Sequence, residues 1–224
     1  MYFTAPLSAV SAVLCLVLAV QAYHSFTYVK KDYLLNFCFG FMLLGLSFII
    51  TIPFVLGFKL PVHFGDADDI ANYPVFAIMQ TIGYALIALA YSQTKKSKDS
   101  LIALIGALIV VVVLVLLPNS FVPPSVDILL YLANASLIGF ILYHMLEVMP
   151  PTHLVFTGFL LLAIHEYTAL IAAINETIYN YPDEGTFMIA DIIRLSALCI
   201  LFLSFLATRP RIKSIQLIGS EQNA

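Results

Sequence analysis

Charge is scarce in this chain. Asp, Glu, Lys and Arg make up only 10% of its 224 residues, apolar residues make up 62%, and the mean hydropathy is +1.00. That leaves too little polar surface to coat a water-soluble globule, so the solvent must be lipid. The net charge is only -3. Lys30, Lys31, Lys95, Lys96, Lys98, Arg209, Arg211 and Lys213 gather on one expected face of the membrane, where the positive-inside bias accounts for them, and no nucleic-acid partner is expected. Cysteine is also sparse. Cys15, Cys38 and Cys199 stand in apolar stretches without CxxC spacing, which excludes a disulfide framework or zinc site and predicts three buried small hydrophobes. A glycine-rich phosphate loop, an HExxH pattern and a Ser/His/Asp set are all missing, so enzymatic chemistry has no support.

What the chain does have is long apolar runs. Spans are predicted at 6–29, 33–58, 74–92, 100–117, 125–147, 153–174 and 185–207, each long enough to cross a bilayer. Clusters of charge or proline separate them: Lys30-Lys31-Asp32, the stretch from Pro61 to Pro74, Lys95 to Lys98, Pro118 to Pro124, Pro150-Pro151, and the segment from Asn175 to Gly185. The expected fold is therefore an all-α integral membrane protein, a seven-helix bundle over 1–208 followed by a short cytoplasmic tail at 209–224. Only Lys59 falls on the face opposite the other basic loop residues, which places the N-terminus outside and the C-terminus in the cytoplasm. Val20-Gln21-Ala22 imitates a signal-peptide cleavage site, but no basic residue precedes the first run, and that run is expected to remain as an anchor.

The first three spans resemble the last three. Tyr23-His24 recurs as Tyr143-His144, Gly40-Phe41-Met42-Leu43-Leu44 as Gly158-Phe159-Leu160-Leu161-Leu162, and Gln80 to Tyr91 can be set beside Arg194 to Phe205. A 3+1+3 arrangement follows, with parallel repeats at 6–92 and 125–207 joined by a linker helix at 100–117. From Leu101 to Leu117 that helix has no ionisable, amide or hydroxyl side chain, as expected of a lipid-facing connector. The arrangement resembles that of small-sugar transporters of the SWEET type, and seven spans of this length resemble microbial rhodopsins. The last span has no lysine for a retinal Schiff base, with Leu195 standing four residues after Asp191, and the core-bending prolines of the sugar transporters are missing from the middles of the first and fifth spans. The likeness is architectural only.

Ionisable residues inside a bilayer are costly and point to function. His165 and Glu166 in the sixth span are expected ~12 Å from its outer end, and Asp191 and Arg194 in the seventh ~9–14 Å below its start. Gln80 and Thr81 of the third span fall at a similar level. These residues could bind a small polar molecule or ion. Equally, Arg194 could pair with Glu166 or Asp191 and stitch two helices together. His24 and His144 occupy equivalent places near the cytoplasmic ends of the first and fifth spans. They could ligate a b-type haem, or belong with Tyr23, Tyr28, Tyr33 and Tyr143 in a headgroup belt. His63, Asp66, Asp68 and Asp69 form a candidate cation loop, although acidic loops are also ordinarily solvated.

Three functions follow: a non-enzymatic transporter or sensor of a small polar molecule or ion, a haem-bearing electron-transfer subunit, and an accessory subunit of a larger membrane complex. A sensor of this kind would need a separate signalling polypeptide, because the tail carries no effector module. An absorption spectrum of the purified protein tests the second: His24 and His144 haem ligation predicts a Soret band, and its absence eliminates that function.

Overall fold

The structure is a computed structural model that describes residues 4–55, 73–93, 125–148, 153–179 and 184–221. Among the described residues it is all-helical, with six helices: α1 (Thr4–Val29), α2 (Asp32–Val55), α3 (Tyr73–Gln93), α4 (Ser125–Val148), α5 (His153–Tyr179) and α6 (Glu184–Glu221). Five of them contain stretches long and apolar enough to cross a membrane: Ala5–Val29, Asp32–Ile52, Ile128–Leu146, His153–Asn175 and Gly185–Ala207. The chain is thus a multi-pass membrane protein, as its composition requires. These stretches and α3 fall on six of the seven predicted spans. The remaining one, the fourth at 100–117, lies outside the described residues, as does the loop with His63, Asp66, Asp68 and Asp69.

Burial is inverted relative to a water-soluble bundle. Val20 and Leu146 are 67% and 68% exposed, whereas Glu166 is fully buried. Large aliphatic side chains face outward because the surrounding solvent is apolar, and polar groups turn inward because only protein can satisfy them there. Of the cysteines, only Cys15 is buried; Cys38 is half-buried and Cys199 is exposed. The expectation of three buried thiols was wrong because lipid imposes no penalty on an outward-facing small hydrophobe.

Neighbouring helices form a closed ring among the described residues. Each packs on the next in chain order, and α6 closes against α1. The tightest connection is between α1 and α2, where the Lys30 amide donates to the Phe26 carbonyl at 2.8 Å and Lys30 adopts φ 54°. This left-handed residue ends α1 and turns the chain within two residues, at a cost of ~1–2 kcal/mol for a residue with a side chain. Side chains fill the centre of the ring. Tyr91 of α3 meets Phe159 of α5 edge-on at 5.6 Å between ring centroids and Phe37 of α2 at 5.0 Å.

Glycines set the closest helix approaches, as is usual where packing replaces the hydrophobic effect in lipid. A Cβ on Gly40 would lie 2.7 Å from Ile87 Cγ1 and 2.9 Å from the Gly83 carbonyl oxygen; one on Gly158 would lie 2.6 Å from Leu201 Cγ. Past the apolar stretch of α6 the helix runs on to Glu221, so the predicted tail at 209–224 begins as a helical extension. Substituting Gly40→Leu should cost about 1–3 kcal/mol by forcing α2 and α3 apart. Gly139→Ala, whose Cβ meets nothing within 4 Å, should be neutral or stabilising by about 0.5–1 kcal/mol. Thermal unfolding midpoints in detergent measure both.

Candidate functional site

The middle of the bundle holds a polar cluster to which all six described helices contribute. Glu166 on α5 is its buried acid. The Asn134 amide of α4 donates to Glu166 Oε2 at 3.4 Å, and the Thr81 hydroxyl of α3 donates to Asn134 Oδ1 at 2.8 Å. The Tyr84 phenol, one helical turn from Thr81, lies close to the Glu166 carboxyl. Glu166 Oε1 has no hydrogen-bond partner. His165, next in the chain, points its Nδ1 at the Ala190 carbonyl of α6 at 2.9 Å, and its Nε2 lies 3.8 Å from Glu166 Oε1.

Arg194 on α6 is the buried base. Its terminal nitrogen contacts Asp191 at 3.1 Å, the intrahelical pairing that a spacing of three permits, and donates to Ser8 of α1 at 3.4 Å. The guanidinium lies over the Phe48 ring of α2, 4.4 Å from its centroid, a cation–π contact that helps to hold a desolvated charge. Arg194 Nε nevertheless has no partner, and neither does Ser11 Oγ, one turn along α1 from Ser8.

Ser11 differs from other serines in this interior. Ser47, Ser92 and Ser204 each donate to the carbonyl three residues earlier, at 2.6–2.7 Å, the usual local solution for a lone hydroxyl in an apolar helix. Ser11 makes no such bond. The Ser8, Ser11, Cys15 spacing of three and four puts the three on one stripe of α1, and Arg194 donates to Ser8 at one end of it.

The predicted residues are thus largely brought together. His165, Glu166, Asp191 and Arg194 share the cluster. Arg194 pairs with Asp191 and forms no ion pair with Glu166 among the described residues. Gln80 is buried one turn before Tyr84 on α3, but no hydrogen bond joins it to the others. The residues that sequence reasoning missed as site members are Asn134, Tyr84, Phe48, Ser8, Ser11 and Cys15. Asn134 carried a usable signal, as the lone amide of the fifth span, whereas the serines of α1 looked like ordinary small residues.

The histidine pair is arranged less favourably. His144 is buried against Phe140, with 4.3 Å between ring centroids, and both its ring nitrogens lack partners. His24 is exposed and rests on Tyr28 at 4.8 Å. Among the described residues no contact joins the two, and no trio of His, Cys, Asp or Glu is gathered that could hold a metal ion.

These features define a multi-pass membrane protein with a buried, incompletely satisfied polar centre. Comparison with known protein families, curated proteins and solved structures found nothing similar. Asn134→Leu should destabilise the bundle by about 1–3 kcal/mol, because it leaves Glu166 Oε2 without this donor and deprives Thr81 of its Asn134 acceptor. Chemical unfolding in mixed micelles measures the loss; a change below ~0.5 kcal/mol would contradict the bonding described.

Proposed function

We propose that this chain is a seven-span protein of the cell membrane, with its N-terminus outside and its C-terminus in the cytoplasm. It transports or senses a small polar molecule or ion through the cluster of Gln80, His165, Glu166, Asp191 and Arg194, without enzymatic chemistry. The observation that carries this reading is a set of buried polar atoms without hydrogen-bond partners on three of the helices: Ser11 Oγ, Arg194 Nε and Glu166 Oε1. A purely structural stitch satisfies its own groups, as Ser47, Ser92 and Ser204 do. Each unpaired buried group costs about 1–3 kcal/mol, and a ligand that supplies donors and acceptors recovers that cost.

The seven spans form two three-helix repeats, 6–92 and 125–207, joined by the linker at 100–117. Support comes from matching close contacts. Gly40 packs on Ile87 beside the Gly83 carbonyl, and Gly158 packs on Leu201 beside the Ala197 carbonyl. These are the residues paired by the sequence correspondences: Gly40 with Gly158, Gly83 with Ala197, and Ile87 with Leu201. Phe41 and Phe159 are buried alike, as are Leu44 and Leu162. The order of the ring also maps onto itself when α1, α2 and α3 exchange with α4, α5 and α6.

A second reading, the electron-transfer subunit carrying haem b, draws on the two unpartnered nitrogens of buried His144; exposed His24 would have to turn inward. For the third reading, an accessory subunit or a sensor coupled to a separate signalling polypeptide, the exposed apolar faces supply a surface that other membrane subunits could share with lipid.

The leading reading is tested by Glu166→Gln, Asp191→Asn and Arg194→Gln, made singly and checked for folding. Each should lower binding, transport or signalling by about tenfold or more, one lost charge-assisted bond being worth roughly 1.5–3 kcal/mol. Unchanged activity in all three folded variants sinks the site assignment.

A further inference from the structure

We infer that Glu166 Oε1 and His165 Nε2 share one exchangeable proton, so that the ion handled by the cluster is the proton. This rests on the function proposed above and narrows it.

The hydrogen-bonding roles lead to this assignment. The Ala190 carbonyl oxygen can only accept, so the His165 Nδ1 that lies 2.9 Å from it carries hydrogen. In a neutral ring Nε2 is then a bare lone pair. It faces Glu166 Oε1 at 3.8 Å, and that oxygen has no donor of its own. Without a shared proton, two acceptors confront each other in a site removed from water. One proton turns them into donor and acceptor, and drawing them from 3.8 Å to a charge-assisted separation of about 2.7–2.9 Å needs a shift of only about 1 Å.

The proton has two resting places. On Glu166 it forms an O–H bond and leaves both side chains neutral. On His165 that O–H bond is broken and an N–H bond formed, giving a carboxylate and an imidazolium. The pair's total charge is the same in both, so movement between them changes no net charge within the bilayer. Release of the proton to water leaves the pair one unit more negative.

The surroundings fit this role. From α4 the Asn134 amide holds Oε2, leaving Oε1 for the proton, and from α3 the Tyr84 phenol lies close to the carboxyl. From α6 come Arg194, already paired with Asp191 at 3.1 Å, and Asp191 itself; from α1 comes the buried thiol of Cys15. A multivalent metal would need a fuller ligand set, and no such group is present among the described residues.

The test uses the full chain in lipid nanodiscs and infrared difference spectra recorded on a change of pH, in water and in deuterium oxide. A carbonyl band of a protonated carboxylic acid is expected, sensitive to deuteration, lost in Glu166→Gln and retained in Asp191→Asn. In Tyr84→Phe, which keeps the carboxyl, the band should shift in frequency. In His165→Asn its titration midpoint should move by about one pH unit or more, as expected when a directly bonded partner is removed.

A band that survives Glu166→Gln, or that neither shifts in Tyr84→Phe nor moves its midpoint in His165→Asn, overturns the shared proton. Measuring ligand or ion flux on the same variants keeps the two proposals separate. Flux lost in Glu166→Gln without the expected band overturns the proton assignment and leaves the functional reading standing. The expected band with flux unaffected by the Glu166, Asp191 and Arg194 substitutions supports the proton pair and overturns the functional reading.

Discussion

A polar atom inside a lipid-embedded bundle can be satisfied only by another part of the protein, or by something the protein admits. Water is not at hand to complete an unfinished hydrogen bond. This constraint accounts for the inversion of burial, in which valines and leucines line the outside while Glu166, Arg194, Asn134 and His165 meet inside. It also makes the few polar residues disproportionately informative, because each must have a partner or a purpose.

The bundle meets the constraint unevenly. Isolated serines close bonds to their own helices, and Thr81, Asn134 and Glu166 form a chain across three helices. Arg194 spreads its charge over Asp191, Ser8 and the face of Phe48, drawing on α6, α1 and α2. At the junction of these two systems satisfaction stops. A buried ion pair contributes little net stability, but removing one partner from it is strongly destabilising, and so the Arg194–Asp191 contact fixes arrangement more than it adds strength. Glu166 forms no ion pair with Arg194 among the described residues, and its carboxyl lies instead beside His165.

The two halves of the chain contribute differently to this centre. In the correspondences between them, Gly40 answers to Gly158 and Ile87 to Leu201, and both pairs make the same kind of close contact. The same registers set Ser47 beside His165, Phe48 beside Glu166 and Gln80 beside Arg194. Packing positions are alike across the halves, whereas the ionisable groups belong to the later half. The earlier half supplies neutral donors and an aromatic face: Ser8, Thr81, Tyr84 and Phe48.

Much of the helical framework could be read directly from the sequence. Apolar runs bounded by charges and prolines place Gly185–Ala207 and its counterparts because bilayer thickness sets their length, a constraint that acts locally on each segment. That His165, Glu166, Asp191 and Arg194 fall within two such runs was legible for the same reason. Which faces meet was not legible. Helices that are apolar on every side carry no dominant face for a periodicity to report, so the inward turn of Ser11 and Asn134, the outward turn of Cys199 and the separation of His24 from His144 could not be read in advance. The sequence by itself determined a multi-pass helical membrane protein and the residues from which a polar centre could be made. Only the tertiary structure decided that Arg194 takes Asp191 rather than Glu166 and leaves the carboxyl facing His165, because rotation about each helix axis is set by packing against its neighbours.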